Sequence, residues 1–292
     1  MKVQASCSVG IIGCGWLGTA LAKALQAQGV EVTATRSNAV NAAQLTSQGI
    51  QTYALLLPAK QEVLNSHAIF NAQCLIIAIT PQFRQGRNDY AEKVAALVEA
   101  AQGNAQVKKI ILLSSTAVYN GLSGTVTEED ALDLNADKVS VLNQAEQAVL
   151  TFSGQSNKVG NVLRLSGLVG PNRHPGKFLL NGRMLKSPEA KVNLIHQDDA
   201  VGLVLALLKQ PMNEQIAQRN NKSSGIFNGA SDTHVSKKVY YQAAAKALGY
   251  PEPNFAQTQS AIKPRVVCAE KVKDVLGYQF CRADLLAWLN QD

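Results

Sequence analysis

The sequence predicts an α/β protein built on a doubly wound parallel sheet, with a smaller C-terminal α/β region. Three observations carry this. Short apolar runs alternate with helical patterns along the first 170 residues, as parallel strands joined by crossover helices do. The first run opens directly into a glycine turn and a helix. Polar and charged side chains recur where the strands end, which is where such sheets hold ligands.

Val9 to Ile12 reads as a short buried strand. Gly13-x-Gly15-x-x-Gly18 follows at once, and Leu17, Leu21, Ala24 and Leu25 then recur at helical spacing until Gly29. Strand, glycine turn and helix in this order form the Rossmann dinucleotide fingerprint. Gly13 permits the tight turn, Gly15 lets a pyrophosphate approach the backbone, and Gly18 lets the helix pack on the strand. The helix N-terminus offers its N–H groups to phosphate. Cys14, Trp16 and Leu17 complete this expected cofactor loop. Lys2 and the apolar run after it imitate a signal peptide, but the glycines give the run this other use.

The second strand is "GVEVTATRS". NAD enzymes usually place an acid near its end for the ribose 2′-hydroxyl. Here stand Thr35, Arg36 and Ser37. A guanidinium flanked by hydroxyls suits a 2′-phosphate, so NADP(H) is expected in preference to NAD(H). The alternative is that Arg36 is a solvated arginine at a strand end. "GIQTYALLL" reads as the third strand and "CLIIAIT", Cys74 to Thr80, as a fourth buried on both faces. Ala78 and Thr80 close it before Pro81. Asn88 to Ala101 is helical, with Tyr90, Val94, Leu97 and Val98 on one face. "VKKIILLSS" is a fifth strand ending at Ser114 and Ser115, Leu132 to Phe152 contains the next helix, and "VGNVLRLSG" is a sixth strand ending at Ser166. The glycine loop, Arg36, Ser37, Ala78, Thr80, Ser114 and Ser166 are therefore the expected cofactor contacts.

After residue 170 the texture changes. "GPNRHPGKFLLNGRM" reads as a loop entering a short helix, and "VNLIHQDDAVGLVLALL" as a strand and helix whose start is capped by Asp198 or Asp199. "NEQIAQRNNKSSG" is a polar linker, "GIFNGAS" is strand-like, "HVSKKVYYQAAAKALG" is helical, and "KVKDVLGYQF" begins the C-terminal end. No internal repeat is present. The expected domains are residues 1–170 for the dinucleotide, recruiting about 192–229, with 171–191 and 230–292 forming a smaller substrate region.

Composition narrows the function classes. A chain of 292 residues can bury roughly 75% of its unfolded surface. The net charge of +7 is scattered, with Lys108-Lys109 and Lys237-Lys238 the densest basic spots and no aromatics interleaved. That argues against nucleic-acid binding and for a small phosphorylated ligand. The 5 cysteines are far apart and lack C-x-x-C, which speaks against a disulfide framework or metal site and for a reduced, cytoplasmic setting. The longest apolar run, Ala200 to Leu208, falls far short of a membrane span.

The segments "IIGCGWLG", "LSSTAVYNG", "RLSGLVGPNR", "LIHQDDAV" and "FNGASDTHVS" together resemble the extended short-chain dehydrogenase/reductase superfamily over nearly the whole chain. Its members include nucleotide-sugar epimerases, dehydratases and reductases. "AITP" and "KVSVLNQAEQAVL" resemble an atypical NAD-dependent epimerase/dehydratase-like branch. The glycine spacing departs from the superfamily's usual G-x-x-G-x-x-G. The resemblance implies a catalytic serine, here Ser115, working with a Y-x-x-x-K pair. Glu146 resembles the glutamate eight residues after that tyrosine, which puts Lys138 at the tyrosine position and Leu142 at the lysine position. No Y-x-x-x-K exists in the chain: Tyr90 and Lys93 are one residue too close, Tyr241 and Lys246 one too far. General acid–base help of this kind contributes roughly 10²–10⁴ in rate.

Tyr119, Lys138, His174 and His196 are the available substitute proton donors, and for each a structural reading is preferred. Tyr119 packs under the turn, Lys138 sits on a solvated helix face, His196 precedes the capped helix, and His174 lies in a loop that could close over substrate. Ser115 and Lys138 stand as catalytic candidates, and Tyr119, Arg173 and His174 as substrate-binding ones, Arg173 because the relatives hold a diphosphate with an arginine near this segment. The resemblance implies an NAD(P)-binding oxidoreductase or isomerase acting on a carbonyl or sugar substrate, nucleotide-linked in many relatives. The alternative is an inactive NADP(H)-binding redox sensor. A deep pocket between the sheet and residues 171–190 would favour the enzyme, and a filled pocket with a broad apolar patch the sensor. Many relatives pair through the helices at about 88–101 and 136–152, which makes a homodimer one option for an oligomeric state the sequence leaves open.

Overall fold

The computed structural model describes residues 7–154, 157–179, 184–211, 225–256 and 263–291. Over these residues the chain forms one seven-stranded parallel sheet. Its strands are β1 (Val9–Ile12), β2 (Val32–Arg36), β3 (Gln51–Ala54), β4 (Cys74–Ile77), β5 (Lys109–Ser115), β7 (Val159–Leu165) and β10 (Ile226–Gly229), in the spatial order β3-β2-β1-β4-β5-β7-β10. The chain runs outward through β1, β2 and β3, then returns to lay β4 against the other side of β1. The order reverses between β1 and β4, which opens a crevice beyond their carboxyl ends. Every residue of β1 and β4 is buried, so their side chains must be apolar on both faces.

Helices cover both faces. They are α1 (Trp16–Gln26), α2 (Ala39–Thr46), α3 (Gln61–Ser66), α4 (Tyr90–Gln102), α5 (Asp137–Phe152) and α6 (Gln197–Lys209). The expected helix at 88–101 forms with Tyr90, Val94, Leu97 and Val98 all buried. Close packing of α5 on β7 depends on Gly160, because a Cβ there would stand 2.0 Å from the Val149 carbonyl oxygen.

Two further parallel pairs lie outside the main sheet. β6 (Gly124–Val126) pairs with β11 (Arg265–Val267), and β8 (Gly167–Val169) with β9 (Leu194–His196). The strand expected before α6 thus forms, but against β8. The segments of β6 and β11 are three residues each, too short to show a period. Helices α7 (Lys237–Ala247), α8 (Glu270–Leu276) and α9 (Leu285–Trp288) complete the C-terminal region. Val169, Val192, Tyr240, Ala244, Leu285, Trp288 and Leu289 form its own apolar cluster. The polar linker expected at 213–225 lies outside the described residues except for Gly225. No helix among the described residues is long and apolar enough to cross a membrane.

The cap of α6 differs from expectation. His196 is the N-cap, its Nδ1 accepting from the Asp198 N–H at 3.1 Å. Asp199 is fully buried and accepts from Tyr278 Oη (2.9 Å), Cys281 N (2.8 Å) and Arg282 N (3.0 Å). Its carboxylate ties down the C-terminal segment, a role invisible to a local capping rule.

Replacing Gly160 by alanine must push β7 off α5, since backbone cannot yield as a flexible side chain can. Urea unfolding of Gly160→Ala should show a loss of at least about 2 kcal/mol. A loss below about 0.5 kcal/mol would contradict this packing.

Candidate functional site

The crevice between β1 and β4 is lined first by the glycine loop. Gly13 has φ +86° and lies against β4, where an added Cβ would meet Ile79 Cγ2 at 2.9 Å. Its N–H donates to Thr35 Oγ1 at 3.2 Å, and Cys14 N–H donates to the Thr35 carbonyl at 2.9 Å. Gly15 contrasts with its neighbours, since a Cβ there would meet only the Gly13 oxygen, at 4.0 Å. At Gly18 a Cβ would press on Ile11 and Cys14 at 3.3 and 3.4 Å, so this glycine serves helix–strand packing. Helix α1 starts at Gly15 with no side-chain cap and no acid in its first turn. Its first N–H groups are therefore directed at the open space above Gly15, with the positive end of the helix dipole behind them.

The carboxyl end of β2 contributes the charge. Arg36 Nη1 donates to the Cys14 carbonyl at 2.6 Å, which lays the guanidinium beside the loop. Ser37 follows it on the surface, and Thr80 is exposed at the edge of β4 with Ala78 partly buried behind it. Cys14 is buried, and burial pushes its thiol up, so it is a packing residue of the loop.

Trp16 joins this loop to the segment after β8. Its indole Nε1 donates to the Pro171 carbonyl at 3.0 Å, and its own carbonyl accepts from Gln197 Nε2 at 3.3 Å. The Arg173 guanidinium sits over the indole, 4.7 Å from the ring centroid. The Gly170–Arg173 turn, with Asn172 at φ +63°, is thus fixed on the first turn of α1. Arg173 was expected at a substrate diphosphate, but the fold places it beside the glycine loop.

A buried polar row crosses the sheet on the other side of the crevice. Ser114, Arg164 and Asn228 occupy one register position on β5, β7 and β10. Arg164 is 2% exposed and Glu146, from α5, is 0% exposed. Arg164 donates to both Glu146 oxygens, through Nε at 3.1 Å and Nη2 at 2.7 Å. Ser114 Oγ donates to Glu146 Oε1 at 2.6 Å. Arg164 Nη1 donates to Tyr119 Oη at 2.8 Å, and Tyr119 donates onward to Asn228 Oδ1 at 2.8 Å. Asn228 in turn donates to both Glu128 and Cys268, through its N–H to Glu128 Oε1 (2.7 Å) and through its Nδ2 to the Cys268 carbonyl (2.9 Å). Burial pushes the Tyr119 phenol up, against the opposing charge of Arg164.

Several expected site residues are therefore structural. Ser114 faces Glu146 inside the protein, not a cofactor. Tyr119 is fully buried within the Arg164 network and offers no group to substrate. His174 is buried at 3% exposure, its Nδ1 accepting from Gly176 N–H at 3.2 Å and its Nε2 lying 3.2 Å from the Leu289 carbonyl, with Trp288 against the ring. His196 is spent as the α6 cap. Lys138 is exposed, its ammonium 6.0 Å from the Phe83 ring centroid, and Leu142 belongs to the core. An exposed lysine is poorly suited to move a proton in a water-excluded site. Ser115 is partly buried and its Oγ accepts from Ala117 N–H at 3.1 Å. Ser166, at the end of β7, is 4% exposed and its Oγ has no hydrogen-bond partner. Arg164 escaped sequence reasoning, although a charged residue inside the apolar run "VGNVLRL" was the available signal, because a buried charge requires a partner.

A cleft of about 350 Å³ reaches from Thr116, the residue after Ser115, and Leu122 to Asn193, Tyr241 and four cations, Lys191, Lys237, Lys263 and Arg265. Arg265 also donates to the Tyr119 carbonyl, and burial pulls its pKa down. A cleft so lined attracts anions. Arg173 does not line it.

Removing one member of the buried pair strands the other. Glu146→Ala should lower the unfolding free energy by about 3–5 kcal/mol, measured by urea denaturation. A change under about 1 kcal/mol would contradict the network.

Residues 9–142 match the TrkA-N domain. Protein YeeZ of Escherichia coli strain K12 is 33% identical over 285 residues, which cover 95% of this chain and 97% of that protein. Among solved structures, a functionally unknown conserved protein from Silicibacter pomeroyi superposes with a TM-score of 0.77 at 22% identity, over 98% of both chains. The UDP-glucose 4-epimerase of Thermotoga maritima, solved with UDP-glucose, gives 0.77 at 15% identity over 97% of this chain and 96% of that one. A short-chain dehydrogenase/reductase superfamily protein from Agrobacterium tumefaciens with bound NAD gives 0.73 at 15% identity, over 97% and 95%. At these identities the solved structures share the fold. With a full-length relative and that fold in hand, the chain belongs to the family of Protein YeeZ, on the extended short-chain dehydrogenase/reductase fold.

Proposed function

We propose that the crevice binds NADP(H) in preference to NAD(H), and that the protein is an oxidoreductase or isomerase acting on an anionic carbonyl or sugar substrate. The observation that carries the cofactor reading is the uncapped start of α1 over Gly15, where a side chain would meet no atom closer than 4.0 Å, with Arg36 beside it. The residues fit the group. The N–H groups of Trp16, Leu17 and Gly18 would take the pyrophosphate, and Arg36 with Ser37 the 2′-phosphate. Arg36 uses Nη1 on Cys14, and a guanidinium has five N–H donors. Ala78 and Thr80 would border the adenosine side, and Ser115 and Ser166 the substrate side. Arg173, stacked on Trp16, would add charge near the pyrophosphate. Bound there, a nicotinamide supplies reversible hydride transfer.

The four cations of the cleft support an anionic substrate, phosphorylated or nucleotide-linked. The solved epimerase with UDP-glucose agrees with that class. Ser115, one residue before the Thr116 end of the cleft, would hydrogen-bond the substrate carbonyl or hydroxyl. The second reading, a cofactor-binding redox sensor without turnover, is favoured by one observation: the two positions where the superfamily resemblance implies a tyrosine and a lysine hold an exposed lysine and a core leucine.

Titration calorimetry with NADP, NADPH, NAD and NADH tests the cofactor. A charge-assisted bond contributes roughly 1.5–3 kcal/mol, so NADP(H) should bind about 10- to 100-fold more tightly than NAD(H). Arg36→Ala should erase that preference and leave NAD affinity nearly unchanged. Equal affinities in the unmodified protein would overturn the preference, and no binding of any of the four would overturn the site.

Absorbance at about 340 nm, where reduced nicotinamide absorbs, separates enzyme from sensor when phosphorylated sugars, nucleotide sugars, aldehydes and ketones are screened. Turnover that falls on Ser115→Ala while cofactor affinity stays within a few-fold supports the enzyme. Turnover that survives both Ser115→Ala and Lys138→Ala moves the active site elsewhere. No turnover with intact cofactor binding supports the sensor.

A further inference from the structure

At the amino ends of the central strands β1 and β4, two cysteines 67 residues apart meet. Cys7 Sγ and Cys74 Sγ are 3.3 Å apart, at 3% and 0% exposure. Cys74 opens β4, and its N–H donates to the Ser8 carbonyl at 3.1 Å. Cys7 precedes β1 and lies outside the ladder, which begins at Val9. Lys109 is the register partner of Cys74 on β5. It is fully buried, and its ammonium donates to the Leu207 and Gln210 carbonyls at 2.9 and 2.6 Å. Two sulfurs in contact beside a buried cation differ from packed core thiols. A disulfide would bring the sulfurs from 3.3 Å to about 2 Å. The segment carrying Cys7 can make that movement without breaking a strand pair.

We propose that Cys7 and Cys74 form a redox-active dithiol whose oxidant is a low-molecular-weight disulfide. The Cys7 thiolate attacks one sulfur of the oxidant, forming a mixed disulfide and releasing one small thiolate, which takes a proton from water. The Cys74 thiol then gives its proton to water, as Cys7 did to become the thiolate, and its sulfur attacks the Cys7 sulfur and displaces the second small thiolate, which takes a proton from water. Two protein thiols and one small disulfide become one protein disulfide and two small thiols. Cys7 is the attacking group because of its place ahead of the ladder. Its thiol is held below the ordinary value by the hydrogen bond from Cys74 and the charge of Lys109, whereas Cys74 is pushed up as donor of that bond. Thiolate character and access together decide which sulfur reacts, and Cys7, at 3% exposure against 0% for Cys74, is ahead on both.

No other pair offers this arrangement among the described residues. Cys14 has Thr19 Oγ1 as its neighbour at 3.9 Å, and Cys268 and Cys281 are more exposed. The dithiol lies at the amino ends of β1 and β4, whereas the glycine loop lies beyond their carboxyl ends. Its test is therefore independent of cofactor binding.

The test treats the folded full-length chain with oxidised glutathione, quenches in acid, then alkylates under denaturing conditions and maps peptides by mass spectrometry. The expected result is a cross-linked peptide pair containing Cys7 and Cys74 that dithiothreitol reverses. The same pair should form in the Cys268→Ser/Cys281→Ser double variant. In Cys74→Ser, a glutathione adduct should persist on Cys7. Full alkylation of both Cys7 and Cys74 after treatment, a linkage between a different pair, or an adduct confined to Cys281 would overturn the proposal. The unmodified chain alone decides it if a variant fails to fold.

Discussion

One buried ion pair organises the part of the molecule built on α5, β5, β7 and β10. Arg164 and Glu146 are 2% and 0% exposed, and neither can be solvated. A charge in that setting is tolerated only when its partner and its remaining hydrogen bonds are all supplied. Here they come from four elements: Glu146 on α5, Ser114 on β5, Tyr119 in the turn after β5, and Asn228, reached through Tyr119, on β10. The pair therefore fixes the depth of α5 and the path of the 116–119 turn. A purely apolar core would hold these elements together but would not specify their register so tightly.

That arrangement has a consequence for chemistry. A tyrosine spent on Arg164 and Asn228 cannot also serve a substrate, and α5 presents Lys138 to solvent and Leu142 to the core. Tyr119, Lys138 and Leu142 are thus placed by packing and solvent, while the glycine loop leaves open space above Gly15. Ser115 and Ser166 remain at the carboxyl ends of β5 and β7. The turn at Pro171 and Arg173, pinned on Trp16, joins the C-terminal region directly to the loop.

What the sequence made legible was local. The order of strand, glycine turn and helix depends on a few adjacent residues, and so does the position of Arg36 at a strand end. The partners of Arg164 were not legible, because they stand 18 to 64 residues away in the chain and only the register of β5, β7 and β10 unites them. The same holds for Cys7 and Cys74, which look unrelated at a separation of 67 residues. The α6 cap misled because aspartate is the commoner cap, yet Asp199 was needed by Tyr278 and the backbone at Cys281 and Arg282. Tyr119 and His174 carried chemistry by residue type, but burial decided their roles.

The most direct measurement of the central claim is a crystal structure of the protein grown with NADPH. The account predicts a pyrophosphate on the N–H groups of the first turn of α1 above Gly15. It also predicts a 2′-phosphate at Arg36 and the nicotinamide toward Ser115, with Tyr119 still bonded to Arg164. A nucleotide ordered elsewhere, or a Tyr119 released from Arg164 to face the nicotinamide, would contradict it.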